Sequence, residues 1–174
     1  MSTGKPMTTI IALLRAVNVG GTGMLPMAEL RALCAGLGYE DVRTYIASGN
    51  ILFRSPRPEA EIRPTLETAL AARMGKPIDV MVHTGAEMRA VLEANPFPAA
   101  DPKRMVVAFL NAPVPADFLG RIANVDGEDV AALGREIYIH YAGGIGRSRL
   151  KLPPSPAATG RNLNAVAKLA SLAG

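Results

Sequence analysis

Two short stretches of the chain collect the residue types that hold an anion without a metal. "LLRAVNVGG" runs from an apolar segment into a glycine bend and carries Arg15, Asn18, Gly20 and Gly21, and "ASGN" supplies Ser48, Gly49 and Asn50. Glycine turns expose backbone N–H groups, and with carboxamides, a hydroxyl and a helix start they make a polar rim suited to phosphate or carboxylate. The competing reading is that Asn18 and Asn50 only satisfy turn geometry, as Asn commonly does. A third group lies near the C-terminus. With Thr159 as an N-cap, Arg161, Asn164 and Lys168 share one stripe of a final helix whose other side is apolar. A cation in that first turn opposes the helix dipole, so a nearby anion would account for Arg161. The segment before it, residues 142–159, is long, rich in Gly and Pro, and carries Arg147, Arg149 and Lys151.

Other chemistries fit poorly. "VNVGGTGMLPM" has no Lys, so it is no Walker P-loop, and Pro26 stands where the third glycine of a dinucleotide fingerprint belongs. His83 and His140 are isolated in strand-like contexts and Cys34 is a lone cysteine at core spacing, so no metal site is expected. No Ser sits in a nucleophile elbow. Base stacking on a sheet needs aromatics on the first and third strands, and these strands offer only Phe53. Nucleic acid is therefore a less favoured partner than a small anion, with phosphate contacts by the basic tail as its one route. The formal net charge of +4 comes from that tail: residues 1–134 carry 13 basic against 14 acidic side chains, and residues 135–174 carry 6 against 1. With 49% hydrophobic residues and only a short apolar run before Arg15, the chain reads as globular, cytoplasmic and without a membrane segment.

The elements that must position these residues follow from hydrophobic periodicity. "TTIIALLR" reads as a buried strand, Pro26 to Leu37 as a helix, and "VRTYIAS" with "NILFRS" as a hairpin turning at Ser48, Gly49 and Asn50. A helix around residues 58–75 follows, in which Pro64 is awkward unless the regular helix begins there, and "KPIDVMVHT" closes the series as a strand. The resulting β-α-β-β-α-β order over residues 8–83 is that of a ferredoxin-like, split βαβ unit. Its topology puts the end of the first strand and the hairpin at one edge of the sheet. Residues 84–174 repeat the theme as α-β-α-β-β-α, with a helix in "PADFLGRIANV", a second hairpin, and no closing strand. The fold class expected is α+β: two ferredoxin-like halves, mostly antiparallel sheets with helices packed on one face, in one compact unit.

"LLRAVNVGG", "PMAELR", "VRTYIASGNILF" and "TGRNLNAVAKL", in this order and spacing, resemble the DUF1697 family, a widespread bacterial domain of unknown function. The resemblance spans nearly the whole chain. It implies a single-chain α+β protein of two ferredoxin-like halves, and it marks Arg15, Asn18, Gly20, Gly21, Thr44, Tyr45, Ser48, Gly49, Asn50, Arg161, Asn162 and Lys168 as motif positions. Ala16, Leu163 and Ala165 depart from the family's usual Gly, Trp and Thr. The family implies no reaction. The leading expectation is a binding module for a small anionic or nucleotide-like ligand, with Arg161, Asn162 and Lys168 completing the rim. Its rivals are an enzyme using the same pocket, with Tyr45 or His83 moving a proton, and an interaction or oligomerisation domain presenting an apolar patch or free sheet edge. Cofactor and oligomeric state are left unassigned.

Overall fold

A computed structural model describes residues 7–15, 26–45, 49–154 and 156–174. The protein is α+β, with two four-stranded antiparallel sheets and, among the described residues, four α-helices. It divides into a first unit, Met1–Met88 with Leu169–Gly174, and a second, Arg89–Lys168.

The first unit contains β1 (Thr8–Leu14), α1 (Met27–Gly36), β2 (Glu40–Thr44), β3 (Asn50–Ser55), α2 (Glu59–Met74) and β4 (Val80–Thr84), with strand order β2-β3-β1-β4. This order is consistent with the ferredoxin-like expectation. Strand alternation explains the layers: Ile10, Ala12 and Leu14 of β1, Ile51 and Phe53 of β3, and Val80 and Val82 of β4 share one face. That face buries Leu30 and Cys34 of α1 and Ile62, Leu66 and Leu70 of α2, and Tyr39 stacks on Phe53 with ring centroids 4.2 Å apart. The alternate residues Ile11, Leu13, Leu52 and Met81 are buried as well, so the strands read as continuous apolar runs. Pro64 does not open α2 but lies inside it. The helix starts earlier because the Pro58 carbonyl accepts from Glu61 and Ile62, and the buried Ile62, Leu66 and Leu70 face holds the turn that proline weakens.

The chain next enters α3 (Gly85–Glu93) through a capping box. The Thr84 amide donates to Glu87 Oε1 at 2.8 Å, and the Glu87 amide donates to Thr84 Oγ1 at 3.1 Å.

The second unit holds β5 (Met105–Leu110), β6 (Asp129–Leu133), β7 (Glu136–His140) and β8 (Ala158–Asn162), in order β6-β7-β5-β8, before α4 (Leu163–Leu172). The closing strand missing from the sequence reading is therefore present as β8, antiparallel to β5. "ATGRN" has no apolar alternation to announce it. Gly160 suits the place because a Cβ there would stand 3.2 Å from Val106 Cγ1. The helix expected in "PADFLGRIANV" is instead a short 3-10 turn at Leu119–Arg121. Pro113 and Pro115 precede it, Gly120 interrupts it, and Phe118 and Ile122 reach the core without a further turn. Within the basic segment, residues 150–152 are fastened: Leu150 and Leu152 pack against a core of Ala108, Leu110, Phe118, Ile137 and Ile139, and Lys151 bridges Ala123.

Candidate functional site

The first unit brings part of the expected rim together. Leu13 pairs with Asn50 and Leu14 with Val80, so the end of β1, the start of β3 and the start of β4 lie side by side. Thr44 Oγ1, at the end of β2, lies 3.3 Å from the sulfur of Met27, the first residue of α1. Three chain segments thus converge at one end of the sheet. Arg15, just past β1, donates its backbone N–H to Asp79 O at 3.0 Å, and its guanidinium stands 3.9 Å from the Asp79 carboxylate. The two side chains are 43% and 44% exposed, so this ion pair is a weak one.

Asn50 has a different place from the one its residue type invites. It is 3% exposed, and its Nδ2 donates to Tyr45 O at 2.8 Å while the Tyr45 amide donates to Asn50 O at 3.1 Å. Its carboxamide closes the hairpin. Gly49 directly precedes β3. Asn18, Gly20, Gly21 and Ser48 lie outside the described residues.

Arg161, Asn162 and Lys168 belong to the second unit. Thr159 is not the N-cap of the last helix, because residues 158–162 continue β8 through pairing with β5. Asn162 caps it instead, its Oδ1 accepting from the Ala165 amide at 2.7 Å. Arg161 is therefore a strand residue and shares no helical stripe with Asn164 and Lys168. Its guanidinium donates to Thr159 Oγ1 at 2.7 Å and Gly160 O at 2.9 Å, and burial lowers its pKa to about 10, leaving it charged at neutral pH. Lys168 is exposed on α4.

The remaining candidates lie in the core or across a hairpin. Cys34 is fully buried, and burial pushes its thiol up to about 12, so it is no nucleophile at neutral pH. His83 is 1% exposed within β4, whereas His140 Nδ1 pairs across the hairpin with Asp129 Oδ2 at 3.1 Å. Phe53 is spent on the core and offers no face for a base. Among the described residues no group of His, Cys, Asp and Glu could hold a metal ion, and no helix is long and apolar enough to cross a membrane.

The family model described as "Protein of unknown function (DUF1697)" matches residues 7–138. Among solved structures, the chain is similar to the conserved bacterial protein SP0830 from Streptococcus pneumoniae. The two are 27% identical, the match covers 97% of this chain and 100% of that one, and the TM-score is 0.81. No curated protein matches.

Proposed function

We propose that this chain, which belongs to the DUF1697 family of proteins of unknown function, is a binding module for a small anionic or nucleotide-like ligand. The site proposed lies at the end of the first sheet, on the segment with Arg15, Asn18, Gly20 and Gly21 and on the hairpin with Ser48, Gly49 and Asn50. One observation carries the reading. The register of β1 against β3 and β4 puts the half-exposed Arg15, two residues past the Leu13–Asn50 pair, at the same end of the sheet as the start of β3. Releasing Arg15 from Asp79 costs little, since exposed ion pairs contribute about 0 to 1 kcal/mol. Asn50 serves this site by holding the turn, leaving ligand contact to Arg15 and the backbone around it.

A thermal-shift screen of phosphate-bearing metabolites and short oligonucleotides tests the proposal. A ligand at 100 times its Kd stabilises by about 2.7 kcal/mol, well within reach of the method. Arg15→Gln and Asn18→Ala are expected to remove the shift of any true ligand, and a hit that survives both sinks the reading. Arg161→Ala and Lys168→Ala, run in parallel, report whether the second unit's cations contribute.

A further inference from the structure

The strongest unexplained feature elsewhere is in the second unit, on residues that the proposed anion site does not use. A pocket of about 310 Å³ is lined by Asn124, Val125, Asp126, Glu128, Arg147 and Arg149. Its volume is that of a small-molecule cleft. Both walls are built. Ala123 and Lys151 exchange two backbone hydrogen bonds of 2.9 Å each, which pins the basic segment against the turn at residues 124–128. Glu128 is the second fastener: its Oε1 accepts from the Asp126 amide at 2.6 Å and its Oε2 from Ser148 Oγ at 2.8 Å. Asn124 and Gly127, at φ of 61° and 85°, take the left-handed turns that this short wall requires.

Three of the four charges in the pocket are unspent. Two guanidiniums and two carboxylates line it, yet neither Arg147 nor Arg149 makes a side-chain ion pair or hydrogen bond among the described residues. The Asp126 carboxylate is likewise without a partner there, while the Glu128 carboxylate is occupied by the wall. Opposite charges that share a small pocket without pairing leave it dipolar. A bound molecule satisfies such a pocket best when it carries an anion for the arginines and a cation or donor for Asp126. Two planar guanidinium forks suit a phosphate's oxygens.

We propose that this pocket is a second ligand site, taking a small phosphate ester that bears an ammonium group, with the phosphate on Arg147 and Arg149 and the ammonium on Asp126. The same chemistry occurs in a free aminoalkyl phosphate and in an aminoalkyl phospholipid headgroup, and the test separates the two.

Isothermal titration calorimetry on the full chain uses O-phosphoethanolamine, inorganic phosphate, ethanolamine and glycerophosphoethanolamine as probes. O-phosphoethanolamine is expected to bind about tenfold more tightly than phosphate or ethanolamine. Arg147→Gln with Arg149→Gln is expected to weaken it at least about tenfold, and Asp126→Asn to bring it down to the level of inorganic phosphate. The titrations are repeated in an Arg15→Gln background, where any phosphate binding at the first unit's site is removed, and the losses caused by the Arg147, Arg149 and Asp126 substitutions are expected to persist there, which separates this site from the one proposed for the first unit. Tighter binding of the glycerol diester, lost in the double arginine variant, supports the site and assigns it to a lipid headgroup. The proposal is overturned if no probe binds at tens of millimolar concentration, or if the double variant titrates like the parent. It is also overturned if a single-stranded oligonucleotide outcompetes every probe with a steep salt dependence. Unchanged far-ultraviolet circular dichroism and melting midpoints establish that each variant is folded.

Discussion

A carboxamide in a glycine turn has two uses, and Asn50 shows how burial decides between them. The sequence makes it a rim residue because Asn, Gly and Ser cluster there. It cannot show that Nδ2 points inward at Tyr45 O, since that depends on the register of β3 against β1. Removing the side chain leaves the half-buried Tyr45 carbonyl short of a donor, which costs about 1 kcal/mol. We expect Asn50→Ala to lower the urea midpoint accordingly, with an unchanged m-value because the native surface is otherwise intact. Asn50→Asp should be no better at neutral pH, because a carboxylate cannot donate to the carbonyl. If either variant keeps parental stability while losing a ligand, Asn50 is a contact residue and not a fastener. Cys34 was legible at the same scale, because its spacing with Met27, Leu30 and Leu37 already places it on the apolar face of α1. We expect the native thiol to resist alkylation at pH 8 and to react only as the protein unfolds.

At the scale of elements, legibility tracked periodicity. The first unit repeats strong signals, with β-branched runs, an amphipathic helix and a hairpin turn, and its six elements were all readable. The second unit keeps the same strand order but joins its strands by pinned irregular segments, and irregular segments have no period to read. β8 was the principal loss. Its backbone is held by β5 rather than by its own side chains, so "ATGRN" passed for the first turn of a helix. That misplacement can be checked through the cap. Asn162 Oδ1 takes the Ala165 amide, whereas Thr159 Oγ1 takes the Arg161 guanidinium. Asn162→Ala should therefore cost about 1 kcal/mol through loss of the N-cap, while Asn162→Ser or Asn162→Asp recovers most of it. Were Thr159 the cap, rescue would follow Thr159→Asp instead. Chemical denaturation of the set distinguishes the two, because only a capping position shows this ranking of substituents.

Over the whole molecule the buried weak acids set a direction for pH dependence. Burial raises the Cys34 thiol from 9.0 to about 12, and the Tyr39 and Tyr138 phenols from 10.0 to about 12. In each case the folded state holds the proton more tightly than the unfolded chain. Their stabilisation is thus complete below pH 9 and is lost as pH rises from each unfolded value toward 12. Cys34 and Tyr39 lie in the first unit and Tyr138 in the second, so alkali acts on both. Tyr138 carries an added structural consequence: its hydroxyl donates to Val91 O at 2.7 Å, and a phenolate would face that carbonyl with no proton to offer. We expect melting midpoints to be flat from pH 7 to 9 with respect to these three groups, and to fall progressively above it. Tyr138→Phe separates its hydrogen bond from its titration. The variant should lose about 1 kcal/mol at pH 7, where the bond is intact in the parent. It should then lose less than the parent between pH 10 and 12, where the phenol no longer titrates. A variant whose stability curve stays parallel to the parent's through that range would show that alkaline unfolding is driven by other groups, and that burial at Tyr138 leaves the phenol's ionisation alike in the folded and unfolded chain.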